Sequence, residues 1–227
     1  MLGRVLTPEI MDDPAIESDR HARALRGLAR INAISLAALP IVNAVRKAIP
    51  PGPVRLLDVA TGSGDVAYAV AKALAKRGYD CSFTLTDISD RALELARRRF
   101  GDQNAETVIL DATADALPES DVVMCSLFLH HLSEDQALSL LSSMSSATRE
   151  LLVVNDLRRT RVGIALAGVV PRILTRSDVV HVDAVKSARS AFTLHELASL
   201  AENAGLAGFE LRRVPPSRMA LRWKPNR

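Results

Sequence analysis

The spacing of apolar residues changes several times along the chain, and each change marks an element. From Asp19 to Ile49 the apolar positions recur at helical period, at Leu25, Leu28, Ala29, Ile31, Ile34, Leu36 and Leu39, which predicts an all-helical entry broken or kinked at Pro40. Pro50, Pro51, Gly52 and Pro53 then interrupt the chain, and Val54 to Ala60 is an almost continuous apolar run around one acid, Asp58. That reads as a buried parallel strand. Val66, Ala69, Val70, Ala73 and Leu74 trace one face of a helix stopping near Gly78, and Cys81 to Thr86 is the next strand. Ser89 caps a helix to Arg99 with Gly101 as its stop; Thr107–Leu110 and Asp121–Cys125 are further strands. Ser133 with Gln136 forms a capping box for a helix through Leu141, followed by a strand at Leu151–Val154. Alternation this regular predicts a parallel sheet covered by helices on both faces.

The tail departs from that rhythm. Thr193 with Glu196 caps a helix ending at Gly205, and Phe209–Val214 and Met219–Trp223 flank Pro215, Pro216 and Ser217. Two strands joined by so short a turn are antiparallel. Before it, VGIALAGVVPRIL within 161–192 is apolar on nearly every face and must bury itself against protein, ligand or partner. We expect it to cover an acceptor pocket. Its flanking Arg158, Arg159, Arg161, Arg172 and Arg176 also fit peripheral contact with an anionic membrane, and a plain core helix is the third reading.

Length and charge narrow the class. A chain of 227 residues, 48% hydrophobic, buries one core rather than two. With 29 basic and 26 acidic residues there is no basic stripe, so charge does not imply nucleic acid. Cys81 and Cys125 make no disulfide framework and lack zinc-type spacing. The acidic start and the shortness of Val162–Val170 argue for a soluble, cytoplasmic protein. Nothing in the sequence sets the oligomeric state.

The chemistry concentrates in LLDVATGSGD, where a strand runs through Ala60, Thr61, Gly62, Ser63 and Gly64 straight into a helix. Small residues fall where the backbone turns tightly beneath a ligand. Asp87 closes the second strand 23 positions beyond Gly64, where an acid accepts hydrogen bonds from ribose hydroxyls. Glycines of an ordinary turn and a helix-capping acid are the plain alternative. Gly62, Gly64 and Ala67 also fit the dehydrogenase pattern G-x-G-x-x-A. Asp58 argues against it, because an acid there suits a cofactor with a cationic ammonium and sulfonium better than a pyrophosphate. Tyr68 and Lys72 have the Y-x-x-x-K spacing of short-chain dehydrogenases, but on the helix after the loop they read as one buried edge and one solvated end.

With LTDIS, LDATADALPESD, CSLFLHHLS and FTLHELASLAENAGL, this segment resembles the successive motifs of class I S-adenosylmethionine-dependent methyltransferases of the ubiquinone and menaquinone type, over about residues 54–224. MDDPAIESDRHARALRGLARINAIS resembles the start of small bacterial methyltransferases of secondary metabolism. The resemblance implies a doubly wound α/β fold with a seven-stranded sheet whose last strand inserts antiparallel. Residues 1–49 would form a helical cap and 50–227 a Rossmann-like domain, with a lid insertion at about 157–192. The cofactor implied is S-adenosyl-L-methionine. Asp58, Ala60, Thr61, Gly62 and Gly64 would line its methionine and ribose portion, and Asp87 with Ile88 its ribose diol. Asp111 with Ala112 would meet the adenine edge, and Ser126 with Leu127 would complete the floor. Ala60 stands where the family has its first glycine, a replacement that a loop with φ below zero tolerates. Asp111 also reads simply as a strand-end cap.

For catalysis, His130 and His131 fall at the carboxyl end of the fourth strand, and either could deprotonate a phenol-like hydroxyl near neutral pH. His181 with Asp183 is a second candidate base. No metal is expected, since Glu134 and Asp135 are explained by the first turn of a helix. SLFLHH lacks the Asn-Pro-Pro-Tyr type segment of enzymes that methylate amino groups of nucleic-acid bases. The favoured activity is methylation of a hydroxyl, or of carbon, on a small aromatic or quinol-like acceptor. An NAD-dependent dehydrogenase and a non-catalytic cofactor-binding module are the alternatives.

Overall fold

A computed structural model describes residues 3–13 and 15–225. The entry is two helices, α1 (Ser18–Ile34) and α2 (Leu39–Ala48). Pro40 lies in the first turn of α2, where its missing N–H removes no helical bond. The break therefore falls before it, at 35–38. Ile41, Val42 and Val45 of α2 enter the same core cluster as the central sheet, so the entry shares its core with the rest of the chain.

The expected alternation follows: β1 (Pro53–Val59), α3 (Asp65–Ala75), β2 (Asp80–Asp87), α4 (Asp90–Phe100), β3 (Ala105–Ile109), β4 (Ser120–Ser126), α5 (Glu134–Ala147) and β5 (Thr148–Leu157). Then come α6 (Arg161–Leu174), α7 (Asp178–Ser190), α8 (Leu194–Asn203), β6 (Glu210–Val214) and β7 (Arg218–Trp223). One sheet runs in the order β3-β2-β1-β4-β5-β7-β6. Strands β1 to β5 pair in parallel, and β7 lies antiparallel to both β5 and β6. The expected seven-stranded doubly wound sheet with its antiparallel last strand is thus present. Both capping boxes, Ser133 with Gln136 and Thr193 with Glu196, form.

Apolar clusters cover the two faces of the sheet. One joins α2, α3 and α4 to the sheet through residues such as Leu56, Val70 and Met124; the other joins α5 and α8 through Leu57, Leu140 and Leu197. Ligand sites in such sheets form at the carboxyl ends of the strands, where the order reverses. Here that point is between β1 and β4.

Over this end lies α6. Only Gly163 and Pro171 of it are buried, while Val162, Val169 and Ile173 are exposed. Residues 3–13 run along α7 as a strap. Arg4 Nε donates to Ser190 O at 2.5 Å and Nη2 to Leu132 O at 2.6 Å; the N–H groups of Ile10 and Met11 donate to Asp183. Among the described residues no single helix is long and apolar enough to cross a membrane. Helices α1 and α2 pass that test only as a pair bent by 57°.

Candidate functional site

A cavity of about 440 Å³ opens at the carboxyl ends of β1, β4 and β5, floored by the glycine loop and roofed by α1, α6 and α7. Between β1 and α3 the loop closes on a hydrogen-bonded turn, Gly64 N–H donating to Thr61 O at 3.0 Å. Gly62 has φ +56°, with nothing within 4 Å of the place a Cβ would occupy, so its backbone is open to a ligand. Gly64 has φ +68°, and a Cβ there would stand 2.9 Å from Ala96 Cβ. That close approach brings α4 against the loop. Ala60 corrects the sequence expectation of a negative φ: it stands at φ +55°, and Leu127, at the end of β4, at φ +59°. Both line the cavity. Left-handed backbone at residues with a Cβ is strained, and such strain concentrates where a site imposes the geometry.

Asp58 is buried at the base of the loop and accepts from Thr61 Oγ1 at 2.6 Å. Burial pushes its pKa from the usual 3.8 to about 7; the Thr61 hydrogen bond opposes this, and the Asp65 and Asp87 charges add to it. Among the described residues no cation pairs with this carboxylate. Asp87 accepts from Gly62 N at 2.8 Å through Oδ2 and from Ser89 N at 2.9 Å through Oδ1. Burial raises its pKa against those two bonds. Each oxygen keeps a lone pair for a further donor. An open backbone at Gly62, an acid without a cation and a second acid with spare acceptor capacity fit a cofactor that carries a diol and a positive charge.

The remaining positions divide. Thr61, Ser126, His130 and His131 also line the cavity. Asp87, Ile88, Asp111 and Ala112 do not; Leu110 N donates to Asp87 O at 3.1 Å, which sets Asp111 beside the end of β2. Asp111 Oδ1 accepts from Thr113 N and Oγ1 at 2.8 and 2.7 Å. These bonds, the side-chain one first, hold its pKa below the usual range. They close a side-chain-stabilised turn between β3 and β4, on an open rim. Ile88 is 69% exposed there. His181 is not brought to the site: its Nε2 is 2.8 Å from Thr175 O, and Asp183 is occupied by the strap. Tyr68 packs edge-on against Phe100, and Lys72 is solvated above its ring.

Both histidines lie in a 3-10 turn at Leu129–His131, their ring centroids 4.4 Å apart. His130 is 4% exposed, and its Nδ1 lies 2.6 Å from Asp156 Oδ1. Its backbone N–H also donates to Asp156 Oδ2, at 3.1 Å. With Nδ1 engaged, Nε2 is on the side of Glu9, whose Oε1 is 3.9 Å away. His131 Nδ1 meets Asp12 at 3.0 Å, and its Nε2 is likewise 3.9 Å from Glu9 Oε1. Burial works against its charge, but the Asp12 bond and the Glu9, Asp12 and Asp156 charges outweigh it, raising the pKa to about 9. His131 is therefore an imidazolium at neutral pH, whereas Asp156 engages the Nδ1 side of His130 and leaves its Nε2 toward Glu9. Glu9, held by Ser187 Oγ, is itself pushed up by burial, with the two histidines pulling it down.

Sequence reasoning missed Asp156, Glu9 and Asp12. Asp156 carried a usable signal, an acid at the end of the apolar run LLVVND, the same signal that singled out Asp87. Glu9 and Asp12 carried none, since they arrive from 119 or more positions away.

Residues 56–150 match a family described as a methyltransferase domain. Over 70 residues the chain is 40% identical to the ubiquinone/menaquinone biosynthesis C-methyltransferase of Rickettsia felis, a stretch covering 29% of this chain and 27% of that relative. Human N-acetylserotonin methyltransferase, solved with S-adenosylmethionine, superposes with a TM-score of 0.68 at 14% identity, covering 95% of this chain and 61% of that one. The O-methyltransferase family 2 protein of Planctomyces limnophilus, solved with apigenin, does so with a TM-score of 0.64 at 16% identity, covering 93% and 63%. This chain spans about a quarter of the sequence relative and less than two thirds of either solved chain. What the two structures share with it is the fold.

Proposed function

We propose, from the premise that this chain is a class I S-adenosylmethionine-dependent methyltransferase, that it methylates a hydroxyl of a small aromatic or quinol-like acceptor, with His130 as general base. The observation that carries this reading is the His130–Asp156 pair, at 2.6 Å, in the wall of the cavity that also holds the glycine loop. Asp156 holds the proton on Nδ1 and so keeps Nε2 free to take the acceptor's proton.

The cofactor, when bound, supplies an electrophilic methyl group on a sulfonium. Asp58 and Asp87 would hold its charge and its diol. The apolar walls, Leu28, Leu166 and Val170 among them, exclude water and orient a flat acceptor. The O-methyltransferase solved with apigenin supports oxygen as the target, and the C-methyltransferase relative keeps carbon as the second reading. Incubation with labelled cofactor and a panel of phenols and quinols, with the new bond assigned by NMR as O–CH3 or C–CH3, separates them. Products methylated only on carbon would overturn the hydroxyl assignment.

Two expectations follow for binding. Asp87→Ala should weaken S-adenosylhomocysteine by about 1.5–3 kcal/mol in calorimetry, the usual worth of hydrogen bonds to a charged group. Unchanged affinity would remove Asp87 from the cofactor site. Leu166→Ser with Val170→Ser should raise the acceptor KM far more than the cofactor KM, because both residues reach the cavity from the α6 roof. Equal changes in both constants would make α6 a structural helix rather than a lid.

A further inference from the structure

Across the cavity from Asp58, two guanidiniums have no counter-ion among the described residues. Arg218, the first residue of β7, is 5% exposed. Its Nη2 donates to Ser35 O, while Nη1 is buried with no hydrogen-bond partner. Burial lowers its pKa, and no carboxylate stands close enough to oppose that. Arg158, just past the end of β5, has a buried and unpartnered Nε. Neither residue forms an ion pair among the described residues, and both line the cavity. They stand at the amino end of α6, where Thr160 Oγ1 accepts from Gly163 N at 2.9 Å and meets Ser217 Oγ at 3.1 Å. Gly163 permits this approach, since a Cβ there would lie 2.9 Å from Ser217 Cβ. A desolvated cation left unpaired is costly, and a helix amino end adds further positive potential. The three features together describe a seat for an anion.

We propose that Arg158 and Arg218 bind a carboxylate on the methyl acceptor, which makes the acceptor a hydroxy acid, with its hydroxyl at His130 and its acid group under α6. This rests on the cavity being the acceptor site. The cofactor also carries a carboxylate, but the sheet order separates the two. Asp58 and Asp87 lie at β1 and β2, whereas Arg218 lies on β7, with β4 and β5 between it and β1, about 14 Å across at roughly 4.8 Å per strand. His130 is held from β5 by Asp156, one strand from Arg218 and two residues from Arg158.

The test is calorimetry on protein saturated with S-adenosylhomocysteine, using the three monohydroxybenzoate isomers, their methyl esters and the matching hydroxybenzyl alcohols. At least one acid should bind, with its ester and alcohol weaker by about tenfold or more. Arg218→Gln and Arg158→Gln should each erase that preference while S-adenosylhomocysteine affinity stays within about twofold, and Arg218→Lys should retain part of it. Thermal melting establishes that the variants fold, and the comparison of acid with ester in the unmodified protein needs no variant. The proposal is overturned if no acid binds better than its ester, or if the preference survives both Gln substitutions. It is equally overturned if Arg218→Gln loses S-adenosylhomocysteine affinity and keeps the acid preference, which assigns the guanidinium to the cofactor. Unmodified protein that fails to bind S-adenosylhomocysteine would defeat the methyltransferase reading instead.

Discussion

His130→Gln should lower turnover by about a hundredfold or more, with S-adenosylhomocysteine affinity held within about twofold, as expected when a positioned base is removed without disturbing the cofactor. The expectation is specific to His130 because its Nδ1 is engaged by Asp156, leaving Nε2, 3.9 Å from Glu9 Oε1, as the nitrogen available for proton transfer. His131, whose pKa of about 9 keeps it protonated, cannot accept a proton at neutral pH. His131→Gln should therefore change turnover by much less. Asp156→Asn should reproduce most of the His130 loss, since an amide in place of the carboxylate no longer fixes the imidazole tautomer. Single-turnover rates and calorimetry on the same preparations check all three. A large loss at His131 with none at His130 would exchange their roles. No loss at either would leave methyl transfer to positioning alone.

The fold was legible because the sequence punctuates its own elements. Each buried parallel strand is a short apolar run, and each following helix opens on a cap, so alternation could be read without any long-range information. The misplaced boundaries have local causes. Helix α5 runs on to Ala147, past the expected Leu141, because Met144 and Ala147 continue its buried face, while Ser142, Ser145 and Ser146 return their hydroxyls to carbonyls at Leu138 and Ser142. Polar residues that satisfy themselves this way hide a helix. Strand β3 begins two residues before Thr107 because it is an edge strand with little burial to set its register.

At the site, what the local chain determines was readable: the glycine loop, Asp58, Asp87 and the paired histidines. What the tertiary fold assembles was not. Glu9 reaches Ser187 across 178 positions, and Arg218 becomes significant only because β7 inserts beside β5. The positive φ at Ala60 was misread for a related reason. Sequence reports left-handed backbone through glycine, and here the surroundings impose it on a residue with a Cβ.

Asp58→Asn should make the protein more stable and the cofactor site worse, and the size of the first effect should follow pH. In the folded protein burial raises the Asp58 pKa from the usual 3.8 to about 7, so between those values the native state holds a proton that the unfolded chain releases. Stability therefore falls as pH rises through that window and is lowest above it. At about 1.4 kcal/mol for each tenfold change in proton affinity, the rise to about 7 amounts to ~4 kcal/mol of destabilisation at pH 8, absent below pH 3.8. The neutral amide still accepts from Thr61 and escapes that penalty. Denaturant melts of both proteins from pH 4 to pH 8 should show the Asn variant's advantage growing with pH and levelling off above about 7. A difference independent of pH would mean that Asp58 is not the strained group. The native protein retains the acid because a cation beside it relieves the same penalty. Binding of S-adenosylmethionine by the unmodified chain should accordingly release a proton near pH 6.5, seen as a buffer-dependent calorimetric heat, and the variant should bind more weakly without that release. Proton release that persists in Asp58→Asn would assign the coupling to another group and remove Asp58 as the counter-charge of the cofactor.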